Sequence, residues 1–417
     1  MNLISLTDAN SFYASAQAAF EMHLRGKPLV VLSNCDGSII ARSREAKSIG
    51  IGMGVTFHSV RSMMRTHGLQ VRSANFALYG DLSARIVAIM RDRVPALSVY
   101  SIDETFSTLP VGADPATFGL SLIEEIERGT GIPCCYGAAV THTLAKLANK
   151  IAKKGARVVV LDTAIKRAAA LADFPVADVW GVGRKYAARL NDMQIHTAGD
   201  LAAAHAPTIR ASFGVVLERT VQELRGRSCQ VLETVEPQRQ QIMVSRSFGR
   251  DVTTAENLHE ALANFVTRAA VQLRKRGLAA QGVLVHASSN PFRESTLQYH
   301  PQRAVNLPVA TSDTCQLLGV SRALLRSMYR DGICYKRVGV MLLDLVPANA
   351  YQTDLLTEPK ARASDLMSTL DAVNTRFGRG SLGFAAQGWR QSTAWAPRQE
   401  YLSGCFTTRW ADLPRAR

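Results

Sequence analysis

No run of apolar residues in this 417-residue chain approaches the roughly 20 needed to cross a bilayer, so a membrane partner is not expected. Cysteine is sparse and odd in number: seven residues with no CxxC pair, which excludes a disulfide framework and a zinc-ribbon signature. A reducing cytoplasm is the expected setting. The opening MNLISLTDAN lacks a basic stretch followed by a long apolar one, so a secretory signal is not expected. There is no internal repeat and no low-complexity tract. Lysine is scarce too: of 49 basic residues 11 are Lys and 38 are Arg, against 34 acidic residues, for a net charge of +15. Residues 1–165 carry 17 basic and 13 acidic side chains, and residues 166–417 carry 32 and 21, so most of the excess lies in the second part. Arginine's planar fork suits phosphate oxygens, which makes a polyanion a plausible partner. With 47% hydrophobic and 20% charged residues the composition is globular, and the length suggests two to four domains.

Short apolar runs alternate with helical patterns through the first 165 residues, which implies an α/β or α+β domain. Strands are expected at Leu3–Thr7, Leu29–Leu32, Ser38–Ala41, Leu97–Ile102, Thr105–Leu109 and Pro133–Val140, with helices between them. From Ala164 to Arg227 the signals are wholly helical. A polar linker at Leu232–Arg239 leads to a second α+β unit at 240–346, which holds 13 basic and 7 acidic residues. Beyond Ala348 a helix is expected at Ser364–Arg376. The rest of the tail is punctuated by Gly, Pro and Trp and reads as a flexible segment whose apolar side chains await a partner.

Asp8 ends the first strand, and Asp103-Glu104 lies where two later strands meet. If those strands are neighbours, the carboxylates converge into a hard oxygen site suited to Mg²⁺. Two such ions can activate a hydroxyl and stabilise a leaving pyrophosphate. Strand-end Asp residues also simply cap turns, and spacing alone leaves both readings open.

The motifs go further. Thr7-Asp8-Ala9-Asn10-Ser11-Phe12-Tyr13 and Ser101-Ile102-Asp103-Glu104-Thr105-Phe106 resemble the catalytic segments of Y-family translesion DNA polymerases. Ile40–Lys47, Thr143–Lys154 and Val179-Trp180-Gly181-Val182-Gly183 resemble that family's finger, palm-helix and thumb segments, in the expected order. Lys27–Asn34, Phe213–Thr220, Ser245–Gly249 and Gly378-Arg379-Gly380 are most similar to its UmuC-type catalytic subunits. The resemblance spans nearly the whole chain.

It implies an α+β, multidomain, right-hand polymerase: a ferredoxin-like palm at 1–24 and 75–165, fingers at 25–74, a helix-hairpin-helix thumb at 166–231 and an α+β little finger at 240–346. Residues 347–417 would be a partner-binding tail. The implied chemistry is error-prone, DNA-directed synthesis past lesions in the SOS response. Asp8, Asp103, Glu104 and the Ala9 carbonyl would hold two Mg²⁺ ions. Phe12 and Tyr13 would flank the incoming sugar, with Tyr13 as a steric gate against ribonucleotides. Arg44, Lys47 and Lys153 would bind the triphosphate. Gly181, Gly183, Arg184 and Lys185 would bind a DNA phosphate, because glycines let the backbone approach and a helix start offers free N–H groups. Arg274, Lys275 and Arg276 stand for the basic grip of the little finger. Gln352, Leu355 and Leu356 resemble a sliding-clamp peptide. The implied partners are primer–template DNA, dNTPs, a cleaved UmuD-like dimer, a recombinase filament and the clamp. Taken singly, Tyr13 reads rather as a core aromatic, and Lys146, Lys150 and Lys153 as a solvated helix face. A nucleotidyl cyclase would lack the thumb hairpin and the basic second unit. A catalytically silent DNA-binding accessory protein would not need the acidic triad.

Overall fold

A computed structural model describes residues 3–230, 239–293, 295–349, 361–378, 380–388 and 395–413. The chain divides into two compact units, one of Met1–Glu236 with Tyr401–Arg417 and one of Pro237–Glu400. Among the described residues no helix is long and apolar enough to cross a membrane.

Among the described residues the first unit contains eight strands: β1 (Ile4–Ala9), β2 (Leu29–Leu32), β3 (Ile39–Arg42), β4 (Gln70–Ser73), β5 (Leu97–Val99), β6 (Glu104–Thr108), β7 (Cys134–Ala139) and β8 (Val158–Leu161). Five form one sheet in the order β5-β6-β1-β7-β8, with β1 antiparallel to both neighbours. Helix Phe76–Arg91 precedes the β5–β6 hairpin, and helix Pro115–Thr130 leads into β7. This is a ferredoxin-like βαββαβ arrangement with β8 added beside β7. Strands β2, β3 and β4 form a separate sheet in the order β3-β2-β4, inserted between helix Phe12–Phe20 and helix Phe76–Arg91. The strands at β4 and β8 are additions to those expected from the sequence.

Helix His142–Ile151 lies against the large sheet at very close range. A side chain at Gly137 would put its Cβ 2.2 Å from the Asn149 nitrogen, so only glycine allows the approach. Asn149 then donates its amide hydrogens to Leu6 O and Cys135 O, at 3.1 and 3.0 Å, stitching the helix to β1 and β7. The same helix is capped by the fully buried Glu223 of helix Val215–Leu224. Its carboxylate accepts from the Thr143 N–H and hydroxyl (2.8 and 2.9 Å) and from the Cys229 N–H (3.0 Å). A negative charge at a helix start satisfies orphan donors and complements the dipole. The helical segment 164–224 therefore shares one apolar core with the sheet, including Leu6, Phe106, Leu144, Leu190 and Leu217.

The second unit is a four-stranded antiparallel sheet in the order β11-β10-β12-β9, from β9 (Ile242–Val252), β10 (Leu278–Ser289), β11 (Gln302–Thr311) and β12 (Tyr335–Pro347). Helices Ala255–Lys275 and Thr314–Met328 supply the other half of its core. Arg274 does not belong to a solvent-facing grip as the sequence suggested. Its guanidinium is bidentate on Asp371 (2.7 and 2.8 Å) and also donates to Ser312 O and Thr314 Oγ1, with only 13% of the side chain exposed. Arg274→Ala is expected to cost roughly 2–3 kcal/mol, since it leaves Asp371 half-buried and alone. Urea denaturation would measure that loss, and an unchanged midpoint would refute it.

The tail is also better packed than its sequence suggests. Helix Ala361–Phe377 buries Met367 and Leu370. Trp395 packs edge-on to Phe265 and donates its indole N–H to Glu260 at 3.1 Å. From Tyr401 the chain belongs to the first unit again. Tyr401 O accepts from Ser73 N (2.8 Å), Asn75 donates to Ser403 Oγ and Gly404 O (both 3.1 Å), and Phe406 stacks on Phe20 at 5.2 Å. These apolar groups are thus covered by the chain itself, because the tail's glycines and prolines allow an extended path rather than a separate core. Trp410 remains 90% exposed. Gln352, Leu355, Leu356, Arg379 and Trp389 lie outside the described residues, as does the linker up to Gln238.

Candidate active site

Asp8 is held near the C-terminal end of β1, the central strand, and pairs in register with Glu104 at the start of β6. The antiparallel alignment therefore sets the two carboxylates side by side where these two interior strands of the sheet end and begin. Asp103 lies between β5 and β6, where the sequence placed the meeting of two strands. It sits in the turn of the β5–β6 hairpin, where its carbonyl accepts from Ala9 N at 2.9 Å and its carboxylate accepts from Ser101 Oγ at 2.6 Å. Among the described residues no three His, Cys, Asp or Glu side chains make a preformed metal cluster.

Burial dominates the electrostatics. Asp8 is only 3% exposed, and loss of water pushes its carboxyl up to about 7. Lys153 pulls it back down, while Glu104 adds repulsion in the same upward direction as burial. Lys153 places its ammonium on Asp8 Oδ2, and Lys146 places its own 2.9 Å from Glu104 Oε2. Each member of the carboxylate pair thus already accepts a cation, through hard oxygen donors. That chemistry fits Mg²⁺. A cleft of about 280 Å³ opens on the pair, lined in part by Lys146, Lys153, Phe174 and Trp180.

Lys153 reaches Asp8 because the regular helix ends at Ile151 and Ala152–Ala156 form a π turn. Such local overwidening recurs at functional sites. Lys47, on the short helix Arg44–Ser48, donates to Ser11 Oγ at 2.8 Å. Burial and the nearby cations Arg42 and Lys153 hold its ammonium below the ordinary lysine range. Lys47 and Lys153 so gather positive charge beside Asp8, while Arg44 is exposed one helical turn from Lys47. An anionic triphosphate would relieve that crowding.

Phe12 and Tyr13 part company. Phe12 is buried in the core and Tyr13 is half-exposed. The Tyr13 ring is stacked on Tyr79 at 4.3 Å and edge-on to Phe76 at 6.1 Å. Tyr79 is fully buried, and its hydroxyl accepts from Gln17 Nε2 at 2.9 Å. Desolvation, with a smaller contribution from Asp103, holds the Tyr13 phenol above its usual range.

The hairpin at Val179–Gly183 is anchored by buried Val179 and Val182, which leaves Gly181, Gly183, Arg184 and Lys185 exposed. Gly181 has φ +87°, and Gly183 caps helix Arg184–Asp192. Two functional candidates were not identified from the sequence. Lys146 read only as one of three helix lysines, and the Gln17–Tyr79 support of Tyr13 joins residues 62 positions apart.

The impB/mucB/samB family model matches residues 7–150, and the impB/mucB/samB family C-terminal domain matches residues 239–355. A domain of unknown function, DUF4113, matches residues 364–416. The chain is 39% identical to protein UmuC of Salmonella typhimurium strain LT2 over 425 residues, covering 100% of both. It is 30% identical to DNA polymerase IV of Moorella thermoacetica, over 90% of this chain and 93% of that protein. The solved insertion ternary complex of Dbh DNA polymerase shares its fold, with a TM-score of 0.55 and 18% identity over 82% of this chain and 99% of that one.

Proposed function

The chain belongs to the impB/mucB/samB family of UmuC-type, Y-family translesion DNA polymerases, and on that footing we propose that Asp8, Asp103 and Glu104 carry its nucleotidyl transfer. The observation that supports this assignment is the register of β1 against β6, which aligns Asp8 with Glu104 beneath a cleft flanked by lysines. The three carboxylates and the Ala9 carbonyl would hold two Mg²⁺ ions. Such a pair supplies charge neutralisation for the attacking 3′-oxygen and the leaving pyrophosphate.

The chain's own groups do the rest. Lys153, Lys47 and Arg44 bind the triphosphate, with Lys153 moving from Asp8 to phosphate as the nucleotide enters. Phe12 holds the floor of the pocket, and the supported ring of Tyr13 excludes a 2′-hydroxyl. Gly181, Gly183, Arg184 and Lys185 offer N–H groups and charge to a template or primer phosphate. Residues 1–24 and 75–165 act as palm, 25–74 as fingers, 166–231 as thumb and 240–346 as little finger.

We further propose that the chain works in the cytoplasm in the SOS response, with a cleaved UmuD-like dimer and a recombinase filament. Gln352, Leu355 and Leu356 would dock on the sliding clamp. The decisive experiment is primer extension over a damaged template with Mg²⁺, dNTPs and those partners present. Extension that chelation stops is the expected result, and none under any of these conditions would refute the assignment. Gln352→Ala with Leu355→Ala and Leu356→Ala should leave extension of a short oligonucleotide unchanged and remove stimulation by a loaded clamp. Full stimulation would take the motif out of the account.

A further inference from the structure

Lys146 sits mid-helix in a sequence position that suggests a solvated stripe, yet only 13% of its side chain is exposed. Its ammonium lies 2.9 Å from Glu104 Oε2 and is enclosed by three aromatic rings. The ring centroids are 4.0 Å away for Tyr100, 5.0 Å for Trp180 and 5.9 Å for Phe106. Tyr100 and Phe106 come from the same β5–β6 hairpin as Glu104, and Trp180 comes from the glycine hairpin. Trp180 Nε1 donates to Tyr100 Oη at 3.3 Å, which closes the cage.

An ammonium surrounded by π faces in a desolvated pocket is held at one point, since the rings attract it and leave little room for another rotamer. A carboxylate with one oxygen tied to such a fixed donor is itself fixed, and its other oxygen is left for a ligand. We propose that Lys146 is a positioning residue that sets the orientation of Glu104, and that Trp180 completes it from the hairpin side. The proposal rests on the reading that Glu104 serves the metal site. It separates Lys146 from Lys153: one lysine serves the carboxylates and stays, and the other serves the nucleotide and moves. It also gives the glycine hairpin a second task, because the residue next to Gly181 closes the pocket behind a catalytic carboxylate.

The test is single-nucleotide insertion at saturating dNTP, followed across a Mg²⁺ titration, with a melting temperature for each variant. The variants are Lys146→Met, Lys146→Arg, Trp180→Phe and Trp180→Ala, with Glu104→Ala as the control for the site itself. Lys146→Met should lower kcat by about 10- to 100-fold, the usual cost of losing a group that orients a ligand. The Mg²⁺ concentration for half-activation should rise, because a carboxylate no longer held in place binds the ion less well. Lys146→Arg keeps the charge but puts a larger planar group into a pocket with little spare room, so it should restore only part of the rate. Trp180→Phe should retain more of it than Trp180→Ala.

A wild-type kcat in Lys146→Met overturns the proposal. So does a lowered kcat accompanied by an unchanged Mg²⁺ requirement and a lower melting temperature, the signature of a merely structural residue. If the methionine variant does not fold, Trp180→Ala carries the test on the same readouts, with the lysine still in place. Activity retained in Glu104→Ala would instead refute the active-site assignment, whatever Lys146 does.

Discussion

Glu104→Ala is expected to abolish primer extension while leaving affinity for primer–template DNA nearly intact. The loss should be on the order of a thousandfold or more. A metal pair supplies several kcal/mol of transition-state stabilisation, and each ~1.4 kcal/mol is tenfold in rate. Asp8→Asn should be equally inactive, but with a second signature. Folding raises the Asp8 carboxyl from its ordinary 3.8 to about 7. An acid whose value rises on folding contributes stability that is fully present below about pH 4 and is lost as pH climbs through 7. Asparagine does not ionise, so Asp8→Asn should melt higher than the wild type near pH 8 in chelator. The advantage should vanish toward pH 4. Extension at the wild-type rate in Glu104→Ala would sink the chemistry. A lower melting temperature for Asp8→Asn at pH 8 would sink the burial argument.

Tyr13→Ala should admit ribonucleotides. The ring cannot yield to a 2′-hydroxyl, because it is stacked on a buried Tyr79 whose own hydroxyl is held by Gln17. Forcing an extra group into a packed site costs about 1–3 kcal/mol. Removing the ring should therefore narrow the preference for deoxyribonucleotides by roughly 10- to 100-fold. Tyr13→Phe, which keeps the ring, should discriminate like the wild type. Competition between ATP and dATP opposite template thymine measures both. Unchanged discrimination in an active Tyr13→Ala enzyme would place the gate elsewhere.

The sequence was most readable where the physics is local. Runs such as Leu29–Leu32 and Pro133–Val140 announce strands by side-chain type alone, and the motifs around Asp8 and Asp103 carry a family resemblance that the relatives bear out. It was less readable where function depends on contacts between distant segments. The place of Lys146 depends on Tyr100, Phe106 and Trp180, which share no sequence pattern with it. The basic cluster at Arg274–Arg276 looks like a grip in one dimension, and only the fold brings Asp371 to Arg274. Asn149 resembles any polar helix residue until Gly137 lets the helix come close enough for it to reach Leu6 O. The tail misleads for a related reason. Its glycines and prolines argue against a core of its own, but they say nothing against lying along someone else's.

The return of the chain to its first unit at Tyr401 has a mechanical consequence. The polypeptide crosses between the two units twice, so the second unit is an insertion with two attachments rather than an appendage with one. A single proteolytic cut at the forward crossing would not release it, since Tyr401 and Phe406 would still be fastened at Ser73 and Phe20. Deleting the chain from Tyr401 onward would turn a doubly tethered unit into a singly tethered one.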